Sequence, residues 1–427
     1  MTPFGRLKPF SRGAGERLPR IACLLVIAAL GVGPARAQQF GAESFSLANG
    51  LQVVVLPNHR VPAVTQMVWY KIGAADDPRG KSGSAHFLEH LMFKGTRAHP
   101  PGEFSALISK SGGRNNAFTS EDVTVFHETV AKDRLELVMQ LEADRMTGLT
   151  LDDAVVLPER EVILEERRTR IDNDPVALLR EQLTANLFLN ASQRVPTIGW
   201  EAEMRRLSTE GALAFYRDWY MPNNAILVVA GDTDTAEVRR LAEKNFGALA
   251  ARPLPARLRL DEPEHRAAIR LEMKSERAAQ PSWRRLYQTL VLRDGIALSA
   301  SADYAPSAIG LSSFGIYATP KKGVAVAELE AAVDAQLHRL IEQGVEPDEV
   351  RRAEQRMEAA AIYSHDSLSG PANIVGTALA IGRTLDDVAA WPARVGAVTP
   401  AEIEAAARAV LTLRNSATGI LLPEHTS

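Results

Sequence analysis

The chain has 427 residues, 46% hydrophobic and 24% charged, with a formal net charge of −3. That length accommodates two or three compact domains, and the composition is that of a globular protein, not a disordered, fibrous or membrane-embedded one. A charge so near neutral gives no reason to expect nucleic acid as a partner.

Residues 1–37 stand apart. Arg6, Lys8, Arg12, Arg17 and Arg20 precede an apolar run, "IACLLVIAALGVG", which is followed by "ARA" before Gln38. Basic, apolar and small-residue regions in that order read as a secretory signal peptide cleaved near Ala37, which predicts a periplasmic or secreted protein. The 13-residue apolar run is short for a bilayer span, the alternative being an uncleaved anchor. No second long apolar run follows, so no stable membrane span is expected after cleavage. The remaining chain carries 43 basic and 51 acidic residues, a formal charge of −8, and loses the single cysteine, Cys23. A chain without cysteine must build any metal site from histidine and carboxylate.

The next elements read clearly. "SFSLANGLQVVVLP" alternates on both sides of Asn49-Gly50 and predicts a hairpin with a type I′ turn. "AVTQMVWYKIG" reads as a strand. Helical patterns follow at 84–93, 101–110, 133–147, 158–171 and 175–188. Between the second and third, "NNAFTSEDVTVFHETV" reads as one or two strands. "AILVVAG" and the helical "TAEVRRLAEKNFGAL" close a first unit, 38–253, and "ARPLPARLRLDEPEH" reads as a linker to a second, 254–427. "STEGALAFYRDWYMPNNAILVVAG" and "TPAEIEAAARAVLTLRNSATGILLP" are both a helix running through a polar turn into an apolar strand, which suggests two related α+β units. The latter begins with a capping box at Thr399 with proline at the first helical position.

Chemistry concentrates in "GSAHFLEHLMFKGT". His86 and His90, four apart, share a helix face and can address one ion. Ser84 is a fair N-cap for that helix and Gly95 can end it. Glu89 lies at the edge of the same face, placed to exchange protons with water activated by a metal. The pattern His-x-x-Glu-His is the inverted zincin signature. A third ligand is offered by "LPEREVILEERRTRIDN". With Pro158 in the first turn, Glu159, Val162, Ile163 and Glu166 fall on one inward stripe, and buried carboxylates require a cation or strong hydrogen bonds. Glu166 would complete a His–His–Glu set with one open position, the catalytic pattern. Arg160, Arg167 and Arg170 are the alternative partners for these carboxylates.

Other residues have plainer readings. His127 shares a strand face with Val123 and Val125, which favours a core or supporting role over a ligand role. Tyr216 and Tyr220, one turn apart, should pack. "EVRRAEQRME" reads as a solvated helix face. Asp76 and Asp77 lack the regular acidic spacing of a calcium loop.

On these residues the chain resembles the insulinase/pitrilysin family of zinc metallopeptidases, in the short-chain branch with mitochondrial processing peptidase. Glu166 stands 76 residues after His90, at the family's ligand spacing, and Glu159, seven before it, matches the acidic residue that supports the site. "GGRNNAFTSEDVT" looks like the family's active-site edge strand, where Asn116 and Ala117 would pair with substrate backbone. The resemblance implies an α+β fold of two related units, each an antiparallel-rich sheet with helices on one side, enclosing a chamber. It implies one Zn2+ per chain on His86, His90 and Glu166, with Glu89 as general base and acid. The substrate would be an extended peptide or unfolded protein added as a strand, which reads backbone.

The second half departs from the family. "PSWRRLYQTL" runs a strand-like motif straight into a helix-like one, so a strand and helix are missing and this unit is shortened. Where active single-chain relatives carry an Arg and a Tyr that hold substrate, this chain has Val291 and Leu298, while Arg285 and Tyr287 have the wrong spacing. A related partner subunit supplying those residues is therefore expected. The competing readings are a non-hydrolytic assembly subunit of the same fold and a zinc hydrolase of a non-peptide substrate.

Overall fold

A computed structural model describes residues 39–275 and 286–424. The signal-like segment, the "PSW" motif and Arg285 lie outside the described residues. Residues 38–427 form one compact unit. Its main sheet has six strands in the order β1-β2-β6-β3-β5-β4, from β1 (Glu43–Ser46), β2 (Gln52–Pro57), β3 (Ala63–Tyr70), β4 (Arg114–Thr119), β5 (Thr124–Ala131) and β6 (Ala225–Gly231). Only the β2·β6 pair is parallel.

The β1–β2 connection departs from the expected two-residue turn. Pairing starts at Ser46↔Gln52, which leaves a five-residue loop, and Gly50 alone takes a positive φ (84°). A type I′ turn needs positive φ at both central residues. Asn49 instead donates its side-chain amide to the carbonyls of Phe246 and Leu249, tying the loop to the end of the helix Thr235–Phe246.

Alternation along the strands fills both faces. Val53, Val55, Val68, Tyr70, Phe126, Leu227 and Val229 face the helices α1 (Ser84–Leu91), α2 (Glu103–Lys110) and α3 (Leu135–Gly148). The opposite side chains Val54, Met67, Trp69, Val125, Ile226 and Val228 are covered by Ala372, Val375 and Leu379 of the helix Ser369–Ala380. The helices expected on one side are thus joined by one from the second half on the other. Every residue of β6 is buried, which accounts for its unbroken apolar run.

The second half repeats the plan in pieces. β7 (Ile269–Ser275) and β10 (Ala417–Pro423) pair in parallel like β2 and β6, while β8 (Ala297–Tyr304) and β9 (Phe314–Pro320) form a hairpin like β4 and β5. In the first unit β3 joins those two parts into one sheet. Among the described residues β3 has no counterpart, and the shortened unit holds two separate two-stranded sheets. No helix among the described residues is long and apolar enough to cross a membrane.

Candidate metal centre and its family

Helix α1 presents His86 and His90 one turn apart, with ring centroids 4.8 Å from each other. The helix is capped from outside. Ser84, expected as the N-cap, is already helical and donates its hydroxyl to the Lys81 carbonyl, and Gly83 occupies the cap position. Asp77 accepts the N–H groups of Gly83 (2.7 Å) and Ala85 (2.8 Å), so a carboxylate seven residues upstream does the capping. Asp76 beside it pairs with Arg259 (2.6 Å), so both aspartates are occupied by protein groups and not arranged for calcium.

The third donor arrives on α4 (Asp153–Arg167). This helix starts earlier than Pro158 would suggest, because Asp152 accepts from the N–H of Val155 and caps it there. The inward stripe is also rotated from the expected one. Val156, Glu159, Ile163, Leu164 and Arg167 are buried, whereas Val162 is 49% exposed. Glu166 sits at the edge of the stripe, and its Oε2 lies 3.5 Å from His86 Nε2 and 3.3 Å from His90 Nε2.

These three donors could hold a metal ion. In a tetrahedral zinc site with bonds of about 2.0–2.2 Å, donors stand about 3.3–3.5 Å apart, the separation found here between Glu166 Oε2 and each imidazole. Glu166 Oε2 is buried and accepts no well-formed hydrogen bond, an orphan that an ion would satisfy. Its other oxygen is paired with Arg170 (2.7 Å), so the expected arginine competition occurs at Oε1 and spares the donor atom. Glu159 takes the Nδ1 side of His90 at 2.9 Å, which fixes Nε2 toward Glu166, and Lys94 holds the far oxygen of Glu159 at 2.5 Å.

The electrostatics follow from this packing. Burial pushes His86 down to about 4, so its imidazole is neutral at neutral pH. Burial also pulls on His90, but its hydrogen bond with Glu159 and the close carboxylate of Glu166 outweigh it and lift this imidazole to about 9. The adjacent His90 imidazole holds Glu166 below the usual carboxylate range, against its burial. Burial raises Glu89, opposed by a hydrogen bond from Thr119 Oγ1 to Glu89 Oε2 at 2.6 Å.

The edge strand β4 runs beside this centre. Ala117 packs toward the site side of the sheet, while Asn116 points to the other face, where its Oδ1 accepts the N–H of Ala117 (2.9 Å). His127, opposite Asn116 on β5, shares the parity of Val125 and so faces away from the histidines. Tyr216 packs and bonds the Arg145 carbonyl, and Tyr220 stacks on Tyr70 at 4.2 Å. Two contributors escaped the sequence reading, Asp77 and Thr119. The second had a signal available, since period-two alternation puts Thr119 on the face of Ala117.

Comparison with known proteins agrees with this geometry. Residues 52–199 match the domain described as Insulinase (Peptidase family M16). The domain described as Peptidase M16 inactive domain matches residues 206–283 and 281–357, and the two stretches meet where the second unit is shortened. The chain is 36% identical over 208 residues to the zinc protease PqqE of Helicobacter pylori, a match covering 48% of this chain and 47% of that protein. It thus spans about half the length of that relative. An uncharacterised zinc protease of Streptomyces coelicolor is 28% identical over 409 residues, 87% of each chain. The crystal structure of a protease from Helicobacter pylori superposes with a TM-score of 0.82 at 25% identity, covering 90% of this chain and 99% of that one. Metal-donor geometry, domain matches and structural likeness together place the chain in the insulinase (M16) peptidase family.

Proposed function

We propose that the chain is an exported zinc endopeptidase or oligopeptidase that cleaves extended peptides, residues 38–253 forming the catalytic domain and 254–427 a related second domain. The observation that carries this reading is the buried Glu166 Oε2, which faces two imidazole Nε2 atoms at 3.3–3.5 Å and accepts no well-formed hydrogen bond. His86, His90 and Glu166 would hold the ion, one per chain. Zinc, when bound, supplies Lewis-acid chemistry that acidifies water and polarises a carbonyl.

The protein's own groups do the rest. Glu89 takes the proton of the attacking water and returns it to the leaving amine. Glu159 keeps His90 in the tautomer that frees Nε2, and Arg170 fixes the far oxygen of Glu166. β4, at the edge of the sheet, offers a substrate strand the outward backbone at Ala117, whose N–H the Asn116 side chain holds. A related partner subunit fits the second half, where the side chains of Val291 and Leu298 have no donor and Ile362, Tyr363 and Leu413 are largely exposed.

The test assays wild type and Glu89→Gln on quenched peptides, alone and mixed with a related subunit. Wild type should cleave in a zinc-dependent way, and Glu89→Gln should lose roughly 10²–10⁴-fold in rate with zinc retained. Bound zinc without cleavage under either condition would favour the assembly-subunit reading. Absence of zinc would contradict the ligand set.

A further inference from the structure

Thr119 occupies a junction between the candidate base and the strand that would receive substrate. It is the last residue of β4 and pairs with Thr124 across the hairpin. Its hydroxyl has one proton to donate, and the short 2.6 Å contact assigns that proton to Glu89 Oε2. The hydroxyl of Thr124, 3.4 Å away, gives its own proton to the Ile72 carbonyl at 3.0 Å. Thr124 is fully buried, so this pair is anchored in the sheet interior. The bond engages Oε2 of Glu89 and leaves Oε1 for proton transfer.

The backbone of β4 points the same way. The N–H of Ala117 goes to the Asn116 side chain and not to β5, so the outward-facing groups of this edge strand are at Ala117 and, two residues on, Thr119. The backbone stretch that would bind a peptide therefore ends in the residue whose side chain fixes the carboxylate. We infer that Thr119 is a positioning residue, orienting Glu89 so that docking along β4 and proton transfer at Oε1 share one rigid element. The inference rests on the peptidase reading above.

The experiment compares Thr119→Val, which keeps shape and removes the donor, with Thr119→Ser, which keeps the donor. Thr119→Val should lower kcat roughly 10–100-fold, the size seen when a group behind a metal site is removed, with KM within about twofold and zinc content unchanged. Thr119→Ser should recover most of the rate. An unchanged kcat in Thr119→Val, or a Thr119→Ser as slow as Thr119→Val, would overturn the assignment. Should Thr119→Val fail to fold, Thr119→Ala against Thr119→Ser carries the same comparison. A readout independent of activity is a double-mutant cycle on urea unfolding of the zinc-free protein with Thr119→Val and Glu89→Ala. Non-additive effects support the contact, and additive effects overturn it. A wild type that cleaves no peptide yet shows coupling in the cycle would sink the peptidase reading while retaining Thr119 as the partner that fixes Glu89.

Discussion

His90 carries its extra proton because two carboxylates face it, Glu159 at Nδ1 and Glu166 at Nε2. A metal ion must replace the proton on Nε2, whereas His86, pushed down to about 4, has none to lose at neutral pH. The sign follows. Below about 9 the protonated His90 competes with zinc, so affinity should rise with pH through 6–8 and level off once that value is passed. Zinc titrations by calorimetry at pH 7 in buffers of different ionisation enthalpy should report about one proton released. A heat independent of the buffer would contradict a protonated His90 in the metal-free protein. Glu159→Gln should weaken zinc roughly 10–100-fold without deleting a ligand, because it frees the ring to turn. At this scale the sequence was informative: His86, Glu89 and His90 share a helix face, and Glu159 and Glu166 are separated by two turns. Thr119 and Asp77 were less legible, since each acts through a contact that depends on where another segment's backbone lies.

Among elements, α3 carries a buried charge cluster. Arg145 of α3 lies fully buried between Glu142 and Glu128, with the rings of Phe104 and Phe126 each 4.2 Å from its guanidinium carbon. Burial raises Glu128 well above the usual carboxylate range, and Arg145 is the cation that opposes this shift. Arg145→Leu should destabilise the protein by roughly 3–5 kcal/mol, since it strands buried carboxylates. Asp77→Ala removes only a cap and should cost about 0.5–2 kcal/mol. Paired urea titrations would show whether the two effects are ordered this way, and a larger loss from Asp77→Ala would contradict the account of the buried cluster. The rotation of α4 is an element-scale lesson. Helical phase put Val162 on the inward stripe, but tertiary packing centres that stripe on Val156, Glu159 and Ile163 and leaves Val162 exposed.

In the whole molecule the two halves are unequal. The first fills both faces of a six-stranded sheet, while the second has a small core of Leu286, Leu290, Ala297, Ala300 and Leu329. Native-state hydrogen exchange and limited proteolysis should therefore open 286–364 first, and earlier opening of 39–250 would contradict this ranking. The helix Ser369–Ala380 is the exception within the second half, because it covers the first sheet, with Gly376 against the Trp69 ring. A fragment ending at residue 253 would bare Met67, Trp69, Val125, Ile226 and Val228 and should aggregate or capture the missing half. A soluble, monomeric fragment with the native sheet would show that this face needs no cover.

The sequence by itself determined the candidate metal donors and the repeat. Helical spacing is a local property, so it placed His86, Glu89 and His90 on one face and put Glu166 and Glu159 on the buried side of another helix. Strand–helix order likewise exposed two related units and a gap in the second. Tertiary structure alone decided which Glu166 oxygen is free, which group caps α1, where the sheet's second face is buried and what steadies Glu89. Each of these depends on atoms brought together from distant parts of the chain, and periodicity along one segment carries no information about the segment that will lie against it.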